Sequence, residues 1–239
     1  MQLAPSLHRI GSDLVNSYLV EDGGEITIVD AGLSGHWDEL VAELSVMGRS
    51  LSDVRALVLT HGDTDHIGFA ERLRRDHAVP AYVHAADAAR ARGEEKTSPK
   101  WGKVKIGPLV RFLWYSGRRG GLKTTYLSQV TTIEGGETLM VPGEPRVIHL
   151  PGHSPGSVAF HFPTVGALFV GDALTTGHVL TGVQGPQPAP FTDDPDQALS
   201  SLSRIEEVGA EWVLPGHGAP WSGGPQEAIR RVREAAAAA

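Results

Sequence analysis

Short apolar runs alternate with amphipathic segments along the first half of the chain. The runs are rich in valine, isoleucine and leucine and predict strands at 14–20, 25–30, 56–60 and 81–84. The segments between them space their apolar residues as a helix does and predict helices at 36–48, 68–77 and 85–93. This alternation is typical of sheets covered by helices, so the predicted fold class is α/β, with α+β character.

Strands dominate the second half. They are predicted at 137–141, 146–150, 157–162, 167–172 and 211–214. Asp194 and Pro195 are a helix N-cap and a first-turn proline, and predict a helix to about residue 208. Another helix is predicted from Pro225 to the terminal alanines. A single domain over residues 1–239 is expected, with an insert at about 94–128 where the alternation breaks.

Composition narrows the class of protein. The chain has 239 residues and no cysteine, which excludes disulfides and thiolate metal ligands. Its net charge of −7 argues against broad binding of nucleic acid. The first twenty residues lack the pattern of a signal peptide, and no apolar run approaches the roughly 20 residues of a membrane span. A cytoplasmic protein without a transmembrane segment is therefore expected.

Ligand-type side chains follow predicted strands in four glycine-containing turns. They are His61, Asp63, Asp65 and His66 in "THGDTDHIG", His153 in "LPGHSPGS", Asp172 in "FVGDA" and His217 in "LPGHG". Loops at strand ends display chemistry on a rigid scaffold, and glycine lets the backbone come close to a metal. One histidine in such a turn is usually only hydrogen-bonded. Four such turns in one chain favour a metal site.

These residues, in this order, resemble the signature of the metallo-β-lactamase-fold metallohydrolase superfamily: H-x-H-x-D-H, then a distant histidine, an aspartate and a last histidine. "VDAG" at 29–32 also resembles the early strand end of that family. The resemblance implies a four-layer αβ/βα sandwich and two divalent metal ions, with zinc expected first. One ion would be held by His61, Asp63 and His153 and the other by Asp65, His66 and His217, with Asp172 bridging. Asp65 and Asp172 would be the catalytic residues that orient the attacking water.

Asp63 departs from the family signature, which has histidine at that place. Three ligand carboxylates instead of two predict weaker polarisation of a substrate carbonyl, and a site that suits iron or manganese as well as zinc. The flavodiiron branch of the same fold carries a carboxylate at this position and binds two irons. Alternatively, Asp63 has degraded one site and leaves a single metal.

Two residues outside the signature have open roles. Asp30, at the end of a strand, either orients a ligand histidine or caps a turn. His178, in a loop rich in glycine and threonine after Asp172, is a candidate substrate-binding residue and proton donor. The remaining histidines are interpreted as packing or capping residues: His8, His36, His77, His84, His149 and His161.

The insert at 94–128 is basic and aromatic. Eight lysines and arginines lie between Lys96 and Lys123, and no acid follows until Glu134. The segment is interpreted as a solvated hairpin or a homodimer contact, as a lid over the metal site, or as a patch that rests on anionic lipid. As a lid it would bind substrate through Trp114 and Tyr115.

The leading hypothesis is a dinuclear metal-dependent hydrolase of a small ester, lactone, thioester or similar compound. The substrate would be a small molecule, anionic with an apolar part, and not a nucleic acid. Only 22 residues follow His217, which disfavours a glyoxalase II-type enzyme with its glutathione-binding helical domain. The alternatives are a di-iron oxidoreductase of the flavodiiron type with a separate redox partner, and a binding protein with a degraded metal site.

Overall fold

The computed structural model of the protein describes residues 1–95 and 101–238. Its larger sheet has seven strands in the order of the chain. They are β1 (Gln2–Ala4), β2 (Leu7–Ser12), β3 (Val15–Asp22), β4 (Glu25–Val29), β5 (Val54–Val58), β6 (Ala81–His84) and β7 (Thr131–Ile133). Strands β1 to β4 pair antiparallel, whereas β4 to β7 pair parallel.

A second sheet of four strands has the order β13-β10-β9-β8. Its strands are β8 (Arg146–His149), β9 (Val158–Phe162), β10 (Ala167–Gly171) and β13 (Trp212–Pro215). Only the β10–β13 pair is parallel. A separate two-stranded sheet joins β11 (Thr175–Gly177) and β12 (Gln184–Gln187).

Six α-helices accompany these sheets in the described residues. They are α1 (Trp37–Val46), α2 (Ala70–His77), α3 (Ala88–Ala91), α4 (Ile106–Arg118), α5 (Pro195–Ser201) and α6 (Gly224–Ala237). None of them combines the length and the apolar character needed to cross a bilayer.

Three apolar clusters stack the elements into four layers. In the first cluster, Leu40 of α1 and Leu73 of α2 pack with Leu57 of the larger sheet. The second lies between the sheets and contains Phe160 and other aromatic residues. In the third, Ile229 of α6 packs on the other face of the smaller sheet. The layer order is thus helix, sheet, sheet, helix, which confirms the predicted four-layer sandwich.

Some predicted elements differ from the structure. The strand predicted at 137–141 is wrong: only Thr138 forms an isolated bridge, with Arg146. Turns at Gly135–Gly136 and Gly143, all at positive φ, confine this stretch. The helix predicted from Pro195 ends at Ser201 and is followed by a 3-10 turn to Arg204, so it stops short of residue 208.

The insert contains helix α4, which the sequence pattern did not reveal; residues 96–100 of the insert lie outside the described part of the chain. One face of α4 carries Leu109, Phe112 and Tyr115 and packs on a small apolar cluster around Leu180. The insert therefore lies against the body of the protein through this helix.

Candidate metal centre

The four predicted turns meet at one edge of the sandwich. His61 follows β5 in the larger sheet, whereas Asp172 and His217 follow β10 and β13, the parallel pair of the smaller sheet. Parallel strands display their carboxyl ends at the same edge, so loops from both sheets converge there. His153 joins them from the turn between β8 and β9.

His61, Asp63 and His153 form one compact group. One ligand atom from each lies within 4.8 Å of the others. The Oδ2 atom of Asp63 is 3.3 Å from Nε2 of His153 and 3.7 Å from Nε2 of His61. Both histidines are buried and Asp63 is partly exposed, so the group is open to solvent on the side of the aspartate.

Asp65, His66 and His217 form a second group under the same 4.8 Å limit. Asp172 lies between the two groups. Its Oδ2 atom is 3.1 Å from Nε2 of His217 and 3.8 Å from Nε2 of His153, and its Oδ1 atom is 3.7 Å from Nε2 of His66. The structure thus brings together all seven residues of the signature, with Asp172 in a bridging position.

Hydrogen bonds to carbonyl and carboxylate oxygens define the tautomer of two of the histidines. The Nδ1–H of His66 donates to Oδ2 of Asp30 at 2.9 Å, and that of His217 donates to the carbonyl oxygen of Leu14 at 2.5 Å. In the neutral ring the Nε2 atom then carries a lone pair, as a metal ligand requires.

Two threonine hydroxyls define the tautomer of the other two. Thr60 Oγ1 donates its proton to Asp30 and therefore accepts from Nδ1 of His61 at 3.0 Å. Thr192 Oγ1 donates to a backbone carbonyl and accepts from Nδ1 of His153 at 3.2 Å. All four neutral rings consequently direct an Nε2 lone pair into the same space.

Several of these lone pairs have no protein partner. The Nε2 atoms of His61, His66 and His153 and the Oδ1 atom of Asp172 are buried without a hydrogen bond from the described residues. Buried polar atoms without a partner cost about 1–3 kcal/mol each, and a bound cation removes that cost. Imidazole and carboxylate ligands in these numbers fit divalent metal ions such as zinc, iron or manganese.

Glycine is required where the strand ends approach one another. A Cβ atom on Gly216 would lie 2.4 Å from Cε1 of His66 and 2.5 Å from Oδ1 of Asp172. At Gly171 a Cβ atom would lie 2.2 Å from Oγ1 of Thr60, and φ is +50°. A side chain at Gly216 would displace His66 and Asp172, and one at Gly171 would displace Thr60, the partner of His61. This explains the glycines that precede His217 and Asp172 in the sequence.

Carboxylates control the protonation of the buried histidines. Burial alone would lower the pKa of His66, but Asp30 and Asp172 outweigh it and raise the pKa to about 10. Burial likewise opposes charge on His217, and Asp172 and Asp65 raise its pKa to about 9. The pKa of His61 is instead lowered by burial and by its histidine neighbours. Cations at this site would therefore compete with protons.

Comparison with known proteins identifies the family. The sequence model of the metallo-beta-lactamase superfamily matches residues 10–217, most of the chain. The chain belongs to this superfamily. Membership supports a metal-dependent hydrolase and, together with the geometry above, the binding of divalent metal ions.

Three relatives illustrate the similarity. The probable metallo-hydrolase YflN of Bacillus subtilis is 28% identical over 234 residues, which cover 93% of this chain and 87% of the relative. The atrochrysone carboxyl ACP thioesterase of Aspergillus fumigatus is 25% identical over 205 residues, 85% of this chain and 50% of that protein. The solved structure of TTHA1623 in a di-iron-bound form superimposes with a TM-score of 0.62 at 29% identity, over 90% of this chain and 93% of the other.

In this member of the superfamily, His178 lines an apolar cavity that is also lined by Thr192, the hydrogen-bond partner of His153. The cavity has a volume of about 440 Å³ and is lined by Trp101, Phe191 and Leu199, among others. Nδ1 of His178 accepts a hydrogen bond from the backbone N–H of Leu180, so the neutral ring carries its proton on Nε2. Burial lowers the pKa of His178, which favours this neutral form.

Trp114 and Tyr115 occupy different faces of α4. Trp114 is 63% exposed, on the outer face. Tyr115 is partly buried and its hydroxyl lies 2.8 Å from Nε2 of His36. Phe112 of the same helix lies beside the candidate metal centre, with its ring centroid 6.1 Å from that of His217. Phe112 lies three residues before Tyr115, on the same helical face. Recognising the helix in the sequence would therefore have indicated Phe112 as well.

Sequence reasoning also missed Arg90, a buried residue of α3. Its Nε atom lies 3.3 Å from Oδ1 of Asp63. Arg90 is 27 positions away in the sequence, and no local pattern links it to the ligand turn.

Proposed function

We propose that this protein is a dinuclear metal-dependent hydrolase that cleaves a small ester, thioester or lactone. The observation that carries the proposal is the set of four buried histidines whose hydrogen bonds direct Nε2 lone pairs into one space, with Asp172 between the two ligand groups. His61, Asp63 and His153 would hold one ion and Asp65, His66 and His217 the other, with Asp172 shared.

Two divalent ions bound there would activate water as a nucleophile near neutral pH and polarise a substrate carbonyl. The residues of the chain position the reaction. Asp65 and Asp172 would present acceptor oxygens to the attacking water and orient it. His178 presents its Nε2–H as a hydrogen-bond donor to a substrate oxygen or leaving group.

The two cavities that adjoin His178 suggest the chemistry of the substrate. The apolar cavity with Trp101 and Phe191 suits an acyl or other apolar group. A smaller cavity of about 250 Å³, also lined by His178, contains Arg111 and Asp13; because Asp13 pairs with Arg9, Arg111 suits an anionic group there. A small anionic acyl compound would span both cavities. The similarity to an ACP thioesterase supports an acyl substrate.

The identity of the metal is a separate part of the proposal. Zinc is expected first, and the di-iron-bound form of TTHA1623 supports iron as the alternative. Analysis of metals in protein purified from unsupplemented cells distinguishes the two. Stoichiometric zinc without iron or manganese would overturn the iron alternative.

A hydrolysis panel tests the reaction. Protein reconstituted with each metal is incubated with matched series of esters, thioesters and lactones whose acyl chains differ in length. We expect turnover of at least one series, and Phe191→Ala should raise KM for the longer acyl chains while kcat stays within about threefold. A control variant, Val183→Ala, changes an exposed residue outside the lining of the apolar cavity. No hydrolysis by fully metal-loaded protein across the panel would contradict the proposal.

A further inference from the structure

Arg90 is a buried cation beside the candidate metal centre. Its side chain is 5% exposed, although arginine is rarely buried unless it is paired. It belongs to α3, the short helix after β6, and faces the turn that carries Asp63. Its charge is thus held next to residues that are proposed to bind cations.

The two carboxylate oxygens of Asp63 face different partners. Oδ1 lies 3.3 Å from Nε of Arg90, an ion-pair contact whose geometry does not make a hydrogen bond. Oδ2 faces the two histidines of its ligand group, at 3.3 Å from Nε2 of His153 and 3.7 Å from Nε2 of His61. The positive charge of the guanidinium attracts Oδ1, and Oδ2 is left to face the histidines, as the single Nε2 atom of a histidine would.

A second contact joins Arg90 to the support of His153. Its Nη2 atom donates to Oδ2 of Asp193 at 2.8 Å. The backbone N–H of Asp193 donates to the carbonyl oxygen of His153 at 3.1 Å, and the preceding residue, Thr192, accepts from Nδ1 of the same histidine. Arg90 therefore connects Asp63 with the loop that orients another residue of the same group.

We infer that Arg90 is a positioning residue that enables an aspartate to act as a metal ligand at position 63. Its positive charge attracts Oδ1, which favours ligation through Oδ2, and offsets the additional negative charge that aspartate brings in place of histidine. This inference rests on the proposed metal centre. It also revises the expectation that Asp63 weakens the polarisation of a substrate, because Asp63 and Arg90 together are as neutral as an imidazole.

A purely structural role would have a different consequence. If Arg90 only connected α3 to the loop at Asp193, replacing it would change Zn²⁺ binding by the same factor whatever residue stood at position 63. If it compensates Asp63, its effect must depend on that residue. With histidine at position 63 the guanidinium would face a neutral ligand and repel a bound cation, so its removal should then favour metal binding.

A double-mutant cycle measures this dependence. The dissociation constant of Zn²⁺ alone is determined by competition with a chromophoric chelator for four proteins: wild type, Asp63→His, Arg90→Gln and the double variant. Relative to wild type, Arg90→Gln should raise the Zn²⁺ dissociation constant about 10- to 100-fold at the site that it affects more. In the Asp63→His background the same substitution should tighten it, and the double variant should bind better than Asp63→His alone.

Controls separate the possible causes. Arg92→Gln removes an arginine next to α3 that pairs with Glu94 at the surface, and should leave Zn²⁺ binding unchanged. Circular dichroism of the metal-free variants checks folding, and Arg90→Met replaces Arg90→Gln in the cycle if the latter does not fold. Equal effects of the Arg90 substitution in both backgrounds, within about threefold, would overturn the inference. Failure of wild type to bind two equivalents of metal would instead overturn the proposed function.

Discussion

His66 donates a 2.9 Å hydrogen bond from Nδ1 to the Oδ2 atom of Asp30, and both side chains are buried. Asp30 has a φ of +60°, a left-handed conformation that is uncommon outside glycine, asparagine and aspartate. The same carboxylate accepts hydrogen bonds from the backbone N–H and the hydroxyl of Thr60. One strained residue therefore orients His66 directly and His61 through Thr60.

Removing the charge of Asp30 should weaken metal binding without removing a ligand. Asparagine tolerates the left-handed conformation, so Asp30→Asn retains the backbone and changes mainly the acceptor for His66. We expect metal affinity to fall about 10- to 100-fold. Calorimetric titration of the metal-free protein measures this, and wild-type affinity in the variant would contradict the role of Asp30.

Removing a histidine that binds metal should lower metal content and turnover more than removing any other histidine. His66→Ala should lose one metal equivalent and lower hydrolysis by more than about 100-fold, beyond the loss expected for an outer partner. His77→Ala is the matched control, because His77 is exposed on α2 and stacks on Trp37. Metal content and turnover are measured for both variants; two retained equivalents in His66→Ala would exclude His66 as a ligand.

The histidine pKa values predict that, as the pH rises, the stability of the metal-free protein falls and its apparent affinity for metal increases. His66 and His217 have pKa values raised to about 10 and about 9 from 6.5. A raised pKa contributes stability fully below the unfolded value, and this contribution is lost as the pH rises through the folded value. The metal-free protein should therefore lose stability between about pH 7 and 10.

Metal binding must displace the same protons, so apparent affinity should rise over this range. Thermal unfolding with and without Zn²⁺ from pH 6.5 to 10 tests both trends. Calorimetry in buffers of different ionisation enthalpy counts the protons released. Metal binding at pH 7.5 without proton release would contradict the protonation of these histidines.

Tyr115 should stabilise the insert. The backbone N–H of Leu33 donates to Nδ1 of His36, so the Nε2–H of the neutral ring donates to the tyrosine hydroxyl. Burial lowers the pKa of His36 to about 4, so the ring is neutral at pH 7. Tyr115→Phe should cost about 1–2 kcal/mol of unfolding free energy, because it leaves a buried donor unpaired.

The exposed neighbour of Tyr115 provides the control: Trp114→Phe should change the unfolding free energy by less than about 0.5 kcal/mol. Denaturant unfolding measures both variants. Equal stability of Tyr115→Phe and wild type would contradict an anchoring role. If either residue also contacts substrate, as the sequence suggested, KM would change for that variant.

The sequence reveals the ligand turns because their signal is local. Each ligand sits beside glycine at the end of an apolar run, and the order of the turns along the chain matches one family. The four-layer fold followed from the same resemblance and from the alternation of strands and helices. None of this required knowledge of which residues meet across the fold.

The remaining features depend on tertiary contacts. Arg90 is 27 positions from Asp63, and Thr192 is 39 positions from His153, so neither partner could be inferred from spacing. Helix α4 includes Gly107, Pro108 and Gly117, which hide its helical pattern, and its stability comes from packing on the cluster around Leu180. The segment predicted as a strand at 137–141 pairs with 145–147 through a single bridge and two backbone hydrogen bonds, between turns at Gly136 and Gly143 that have positive φ.

The number of metal ions per chain tests the central claim most directly. Metal-free protein is reconstituted with excess Zn²⁺, passed through a desalting column and analysed by inductively coupled plasma mass spectrometry against protein concentration from amino-acid analysis. Two equivalents per chain in wild type, falling to one in His66→Ala, is the predicted result. One equivalent or none in folded wild type would contradict a dinuclear centre.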